Sequence, residues 1–130
     1  MPVPFAAGAV VYAKSVAKVS DFYADVADLR ITHAEQDYVV LESPTFQLVV
    51  VAIPAEHAAS IHIDVPPKRR EATAIKLALP VVSIAAARVL AQSLGGELNP
   101  QEQEWQFQGS RICDGHDPEG NVVQFREHVL

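Results

Sequence analysis

Cysteine is nearly absent from this sequence of 130 residues, in which Cys113 is the only one. One thiol cannot form an internal disulfide, and it leaves a cysteine-based zinc site without ligands. The fold must therefore depend on an apolar core, in which Cys113 is predicted to be a small buried hydrophobic residue. The hydrophobic fraction of 49% is sufficient for such a core. A chain without cysteine pairs suits a reducing compartment, so a cytoplasmic location is expected.

Basic residues are also scarce. The sequence has 10 Lys and Arg against 16 Asp and Glu, which gives a net charge of −6, and its one basic run is KRR at residues 68–70. Proteins that bind nucleic acid need clustered positive charge to neutralise phosphates, so no nucleic-acid partner is expected. The acidic surface serves solubility, or it attracts cationic or neutral small molecules.

Long apolar runs are missing as well. No uninterrupted stretch approaches the roughly 18 to 20 apolar residues that span a bilayer, so no membrane partner is expected. The first stretch, MPVPFAAGAVVYAKS, is apolar, but it carries no charged leader and passes into strand-like alternation. It is therefore not expected to be a signal peptide.

The predicted elements have the same order in both halves of the chain. The strand GAVVYAK precedes a helix that Ser15 is placed to cap, and the strand AIKLALPVV precedes a helix that Ser83 is placed to cap. Further strands follow each helix. One offset of 68 residues superposes the halves and places Phe22 on Leu90. This repetition predicts two copies of a strand, helix and three-strand module.

The segment between the halves is ambiguous. Ile61, Ile63 and Val65 alternate with polar residues up to the double proline at residues 66–67. Proline cannot continue a hydrogen-bonded ladder, so the pattern predicts either an edge strand or a linker.

Three stretches together resemble the vicinal oxygen chelate superfamily, which includes glyoxalase I, bleomycin-resistance proteins and extradiol dioxygenases. They are VYAKSVAKVSDFYADVADLRI, LPVVSIAAARVLAQSLGGEL and DPEGNVVQFRE. The resemblance implies an α+β fold in which two βαβββ modules form a curled mixed sheet around a central cavity. It implies one domain, with module one at about residues 8–53, a linker at about 54–73 and module two at about 74–130. Superfamily members of this size are usually homodimers, and residues 59–67 are expected in the contact.

Metal-dependent members of the superfamily place four ligands in the cavity, usually His, Glu or Gln. The resemblance puts these positions on Gly8, Val49 (or Gln47 after a register slip of one alternation), Lys76 and Gln124. The sequence departs from the pattern, because glycine and valine offer no ligand atom and a lysine ammonium has no lone pair. No metal and no cofactor are therefore expected.

The last predicted strand has one polar and one apolar face. Gln124 and Arg126 alternate with Val123 and Phe125. A slip of one residue would bury an unpaired amide and guanidinium, so Val123 and Phe125 are predicted to pack under the helices. The resemblance directs the polar face into the cavity, where arginine suits an anionic or carbonyl-bearing small organic ligand.

Residues on other strands are predicted to line the same cavity. For Trp105, stacking on a flat ligand and packing in the core are equally open. Lys14 shares the predicted face of Tyr12, but Lys14 and Arg126 are as readily interpreted as solvated residues at strand ends. The predicted ligand-binding set comprises Tyr12, Gln47, Val49, Lys76, Trp105, Gln124 and Arg126.

The five histidines form no recognisable metal or catalytic motif. His62 and Asp64 are interpreted as a surface pair on one strand face. Asp114, His116 and Asp117 are interpreted as loop residues, with Asp117 accepting hydrogen bonds from the amides of its own turn.

Two classes of function remain open from the sequence. The first is a metal-free protein that binds a small molecule, and that sequesters a drug or metabolite as bleomycin-resistance proteins do. The alternative is a lyase, isomerase or dioxygenase-like enzyme with an atypical metal site or with Lys76 as its base or nucleophile. No catalytic residue can be assigned.

Overall fold

The computed structural model of the protein describes residues 6–129. The first module consists of strand β1 (Ala7–Ala13), helix α1 (Val16–Val26) and strands β2 (Arg30–Ala34), β3 (Tyr38–Glu42) and β4 (Phe46–Ala52). The strand order of its sheet is β1-β4-β3-β2, with β1 parallel to β4 and the other neighbours antiparallel. Strand β1 is therefore an edge strand of this N-terminal sheet.

Helix α1 begins where the sequence predicts it. The Ser15 hydroxyl oxygen accepts a hydrogen bond from the N–H of Lys18 at 3.3 Å, which caps the first turn. The apolar residues spaced by three and four positions are buried, namely Val19, Phe22, Tyr23 and Val26. This stripe fixes the helix on its sheet.

The second module repeats this plan with one extra strand. A short helix, α2 (Ala55–Ala58), and an irregular segment lead into it. The strand order of its sheet is β5-β9-β8-β6, and β7 also pairs with β8. The elements of this module are β5 (Leu77–Val81), α3 (Ile84–Ser93), β6 (Glu97–Leu98), a 3-10 turn (Gln101–Gln103), β7 (Trp105–Phe107), β8 (Ser110–His116) and β9 (Val122–His128).

Helix α3 follows the prediction in its cap, but its buried face differs from the one that the repeat predicts. The Ser83 hydroxyl oxygen accepts the N–H of Ala86 at 3.1 Å. Leu90, which the repeat aligns with the buried Phe22, is 41% exposed. The reason is that the residues facing the core are spaced i, i+3 and i+7, which leaves Leu90 on the flank; they are Ile84, Ala87 and Ala91.

The segment between the modules is a linker and not an edge strand. The alternation of residues 61–65 forms no strand, and Val65 is 93% exposed. Only Arg70 makes an isolated bridge, to Asn121 at the start of the last strand. The prolines at residues 66–67 account for this, because they cannot donate to a ladder.

The helix-facing sides of both sheets and the helices share one hydrophobic core. Phe22 of α1 meets Phe125 of β9 edge-on, with ring centroids 6.5 Å apart. The predicted α+β class with two βαβββ modules is confirmed. The described strands form two mixed sheets and not one continuous sheet. Each sheet consequently has an outer face, defined as the face turned away from this core.

Among residues 6–129, no helix has the length and apolar character needed to cross a membrane.

Candidate ligand-binding site

Strand β9 has the facing that its alternation predicts. Val123 and Phe125 are fully buried in the core, whereas Gln124 and Arg126 are half-buried on the outer face. In the sheet, Gln124 lies opposite Asp114 of β8. The polar pair therefore belongs to a surface built from several strands, which we call the outer face of the C-terminal sheet.

Gln124 and Arg126 lie on the same face because they are two positions apart in β9, and Gln124 orients the Arg126 side chain. The Nε–H of Arg126 donates a hydrogen bond to Oε1 of Gln124 at 2.8 Å. The guanidinium carbon also lies 5.7 Å from the centroid of the Phe107 ring, in cation–π range. Within residues 6–129 only Nε of this guanidinium makes a hydrogen bond, so its outer nitrogens can donate to an acceptor on a ligand.

Two aromatic residues of β7 lie beside this arginine. Trp105 is 42% exposed and Phe107 is 48% exposed, so the core alternative for Trp105 is excluded. Trp105 pairs with Ile112 of β8, which in turn lies opposite Arg126. Ile112 is buried although it is outside the main core, so it forms the apolar floor beneath these groups.

A carboxylate completes this face. Oδ2 of Asp114 accepts a hydrogen bond from the ammonium of Lys76 at 2.8 Å, whereas Oδ1 is buried and has no partner among the described residues. A buried acceptor without a donor is costly, so this oxygen is a strained point of the C-terminal sheet. The ion pair suits a charged contact for Lys76 better than the role of an amine nucleophile.

The remaining predicted residues lie on the other sheet. Tyr12 is 63% exposed on the outer face of the N-terminal sheet, and Gln47 and Val49 are half-buried on the same face of β4. The two sheets are not paired, so a single chain does not bring these residues together with Arg126. Lys14 lies beyond the end of β1, and its ammonium contacts the carbonyl of Ile61 in the linker and not a ligand face.

The residues at the positions that correspond to the superfamily's metal ligands do not suit a metal ion. A Cβ atom at Gly8 would lie 2.3 Å from the backbone oxygen of Gln47, so the close approach of β1 and β4 requires glycine there. Val49 has no donor atom, the Lys76 ammonium is paired, and the Gln124 oxygen already accepts from Arg126. Among residues 6–129, no group of three or more His, Cys, Asp and Glu could hold a metal ion.

The acidic turn between β8 and β9 is structural, as its loop interpretation predicts. Oδ1 of Asp117 accepts the amides of Glu119 and Asn121 at 2.8 and 3.1 Å. Oδ2 accepts the Tyr23 hydroxyl at 2.9 Å and the Asn121 side-chain amide at 2.8 Å. Burial raises the pKa of Asp117, although these hydrogen bonds oppose the rise. Burial and the adjacent Asp117 raise the pKa of Tyr23 well above its ordinary value.

Of the predictions for the other polar residues and for Cys113, one is wrong and the others agree with the structure. Asp114 and His116 belong to strand β8 and not to a loop, because β8 extends to His116 before the turn begins. His62 and Asp64 form the predicted exposed pair at 3.0 Å. Cys113 is fully buried, and burial raises the pKa of its thiol, so it is the inert residue that was expected.

Sequence reasoning missed three members of this face. Phe107, Ile112 and Asp114 join it through the pairing of β7, β8 and β9, and the register between strands cannot be deduced from one strand alone. The alternation of Trp105 with Phe107 was the only available signal, because it placed both aromatic rings on one side of a strand.

No protein-family model matches the chain, and no curated protein matches it in sequence. Several solved structures do match. A glyoxalase/bleomycin resistance protein/dioxygenase family enzyme from Burkholderia phytofirmans PsJN is 14% identical, with a TM-score of 0.67 over 95% of this chain and 98% of that chain. TnmS3, an antibiotic binding protein from Streptomyces sp. CB03234, is 18% identical, with a TM-score of 0.62 over 98% of each chain.

A genomically encoded fosfomycin resistance protein, FosX, from Listeria monocytogenes is 13% identical, with a TM-score of 0.65 over 100% of this chain and 94% of that chain. The predicted resemblance to the vicinal oxygen chelate superfamily is confirmed for the fold. Identities this low show a shared fold and leave the ligand to the chemistry of the chain's own residues.

Proposed function

We propose that the protein binds a small organic molecule on the outer face of the C-terminal sheet, without a metal ion, and sequesters it. The observation that carries this proposal is the Arg126 guanidinium, oriented by Gln124 and placed over the Phe107 ring, with the exposed Trp105 two strands away in the same register. Exposed aromatic rings beside a positioned charge are typical of ligand sites and add little to the stability of a free chain.

The chemistry of this face suits a flat ligand with an acceptor at one end. Trp105 and Phe107 provide ring surfaces for stacking, and Arg126 provides donors for a carboxylate or carbonyl oxygen. These groups together select an aromatic compound with an anionic or carbonyl group.

The structural neighbours support a binding role. Among proteins of this fold are an antibiotic binding protein and a bleomycin resistance determinant. Sequestration requires only that the ligand be bound, and this face offers charged and aromatic side chains for binding. The enzyme alternative depended on an atypical metal site or on Lys76 as base or nucleophile, and the Lys76 ammonium is engaged by Asp114.

We also propose that the protein is a homodimer whose second copy completes the site. The outer face of the C-terminal sheet exposes the aromatic rings of Trp105 and Phe107, and the outer face of the N-terminal sheet carries the half-buried Gln47 and Val49. Bringing Gln47 and Val49 of one copy over the C-terminal sheet of the other would unite them with Arg126. The exposed linker at residues 59–67 would contribute to the contact.

Titration of tryptophan fluorescence tests the binding proposal, because Trp105 is the only tryptophan in the chain. The ligands are bleomycin, fosfomycin and a panel of hydroxylated aromatic carboxylates. We expect saturable quenching by at least one of them. Gln124→Ala should weaken that affinity by about fivefold, because Arg126 loses its orienting hydrogen bond. Gln92→Ala, an exposed position on α3, is the matched control and should bind like the wild type.

The binding proposal fails if the whole panel leaves Trp105 fluorescence unchanged, or if the Gln124 variant binds as tightly as the control. The dimer is tested separately by light scattering. A monomer at micromolar concentration would contradict the shared site while leaving the C-terminal face as a binding surface.

A further inference from the structure

A cavity lies where the edges of the two sheets approach each other. We call it the edge cleft; its volume is 480 Å³, within the roughly 300 to 1,000 Å³ of small-molecule pockets. One wall is β1, with Val10 and Tyr12, and the opposite wall is formed by Ile75 and Leu77 before and in β5. The edge cleft is thus an apolar space between two strands that have no other partner on these sides.

Arg70 is the one charged residue among those that line the edge cleft, and no carboxylate accompanies it. Its side chain makes no ion pair or hydrogen bond with the described residues, although the chain as a whole carries a net charge of −6. A guanidinium that has no local partner beside apolar walls offers its donors to a bound anionic group, which would be stabilised there.

The backbone of Arg70 is held in place. Its N–H donates to the oxygen of Gly120 at 2.8 Å, and it bridges Asn121 at the start of β9. Gly120 has φ +86°, and a Cβ atom there would lie 2.2 Å from the oxygen of Lys68, so the linker packs tightly on this turn. The guanidinium therefore extends from a fixed point on the rim of the edge cleft.

A smaller cavity of 240 Å³ shares Arg70 with the edge cleft and is also lined by Lys68. Its acidic residues contact groups other than Arg70, because Asp64 pairs with His62 and the Glu119 carboxylate accepts two backbone amides. Lys68 is a second cation beside Arg70.

We propose that the edge cleft is a second binding site, distinct from the outer-face site, for a small amphipathic carboxylate. Its apolar body lies between Val10, Tyr12, Ile75 and Leu77, and its carboxylate pairs with Arg70. The size of the cleft and its single charge select a monoanion with an apolar chain or ring.

Chemical-shift mapping by NMR with octanoate as the probe tests this proposal, and octanol is the uncharged comparison. Octanoate should shift the backbone amides of residues 10–12, 75–77 and 122. Octanol should bind about tenfold more weakly, because it lacks the charge that Arg70 pairs with. Arg70→Gln should weaken the binding of octanoate by a similar factor and leave the affinity for octanol unchanged. Arg30→Gln, an exposed cation on β2, is the matched control and should bind octanoate like the wild type.

Four results would overturn the proposal. Octanol could bind as tightly as octanoate, or Arg70→Gln could bind octanoate like the Arg30 control. Octanoate could instead shift only the amides around Trp105 and Gln124, which would assign the anion to the outer-face site. Lastly, the amide resonances of the edge cleft could stay unchanged with octanoate but shift with protein concentration, which would show that a second copy fills the cleft.

Discussion

Glu119 connects the two modules, and replacing it gives the sharpest test of the fold. It lies in the turn before β9 and is almost fully buried. Its two carboxylate oxygens accept the backbone N–H groups of Lys14 at 2.8 Å and of Ser15 at 2.7 Å, more than 100 residues earlier in the chain. These amides precede helix α1, where a negative charge is also favoured by the helix dipole.

Glu119→Gln should lower the free energy of unfolding by about 2 to 3 kcal/mol. A hydrogen bond to a charged group contributes roughly 1.5 to 3 kcal/mol. The amide of glutamine keeps one acceptor but turns an NH₂ group toward the second backbone N–H, so one bond is lost and the other is weakened. Glu119→Ala removes both acceptors and should cost about 3 to 5 kcal/mol, a large part of a typical domain stability of about 5 to 15 kcal/mol.

Urea denaturation followed by circular dichroism measures this effect, and Glu127→Gln is the matched control. Glu127 accepts one backbone N–H, from Ile84 at 2.6 Å, within its own module. Both substitutions remove one negative charge, so their general effect on net charge is the same. We expect the Glu127 variant to lose about half as much stability as the Glu119 variant. An equal or smaller loss at Glu119 would refute the argument that its carboxylate joins the modules.

Further predictions concern the core, the pH profile and metal binding. Phe125→Ala should cost about 3 to 5 kcal/mol of unfolding free energy in urea, because the ring is fully buried against Phe22; a loss below about 1 kcal/mol would contradict the packing. Burial raises the pKa of Asp117 above its ordinary 3.8, so the folded state keeps this proton longer than the unfolded chain. The raised pKa of Asp117 contributes stability that is fully present below the unfolded-state pKa and is lost as the pH rises through the folded-state pKa. Asp117→Asn should therefore flatten the dependence of the unfolding free energy on pH in this range. An unchanged pH profile would count against this explanation. Tyr23 should not ionise before alkaline unfolding, which absorbance of tyrosinate reports, since burial and Asp117 raise its pKa. Excess Ni²⁺, Zn²⁺, Mn²⁺ or Fe²⁺ should leave the Tm unchanged, because Gly8 supplies no ligand atom; a rise reversed by a chelator would contradict this.

Local patterns predicted the helices well. The caps at Ser15 and Ser83 depend on a few neighbouring residues, so each could be predicted from its own stretch of sequence. The facing of β9 could be predicted for a similar reason, because a slip of one residue would expose Val123 and Phe125 at once.

The features that could not be predicted from the sequence depend on contacts between segments that are far apart in the chain. The outer-face site includes Phe107 and Asp114 only because of the register between β7, β8 and β9. The exposure of Leu90 depends on how closely the small residues of α3 approach the core. The contact of Glu119 with Lys14 joins opposite ends of the chain, and no pattern within either segment reports it.

The same contacts explain why two motifs can indicate a fold without indicating a reaction. The stretch SDFYADV contains Tyr23, and the stretch DPEGN contains Asp117; their side chains form a buried hydrogen bond at 2.9 Å. Both residues are satisfied by each other and by the turn, so neither has an atom to offer a ligand. The turn does, however, start β9 in a fixed position, and Gln124 and Arg126 follow within that strand. The motifs therefore fix the position of β9, and in the proposed function the residues on its outer face decide what is bound.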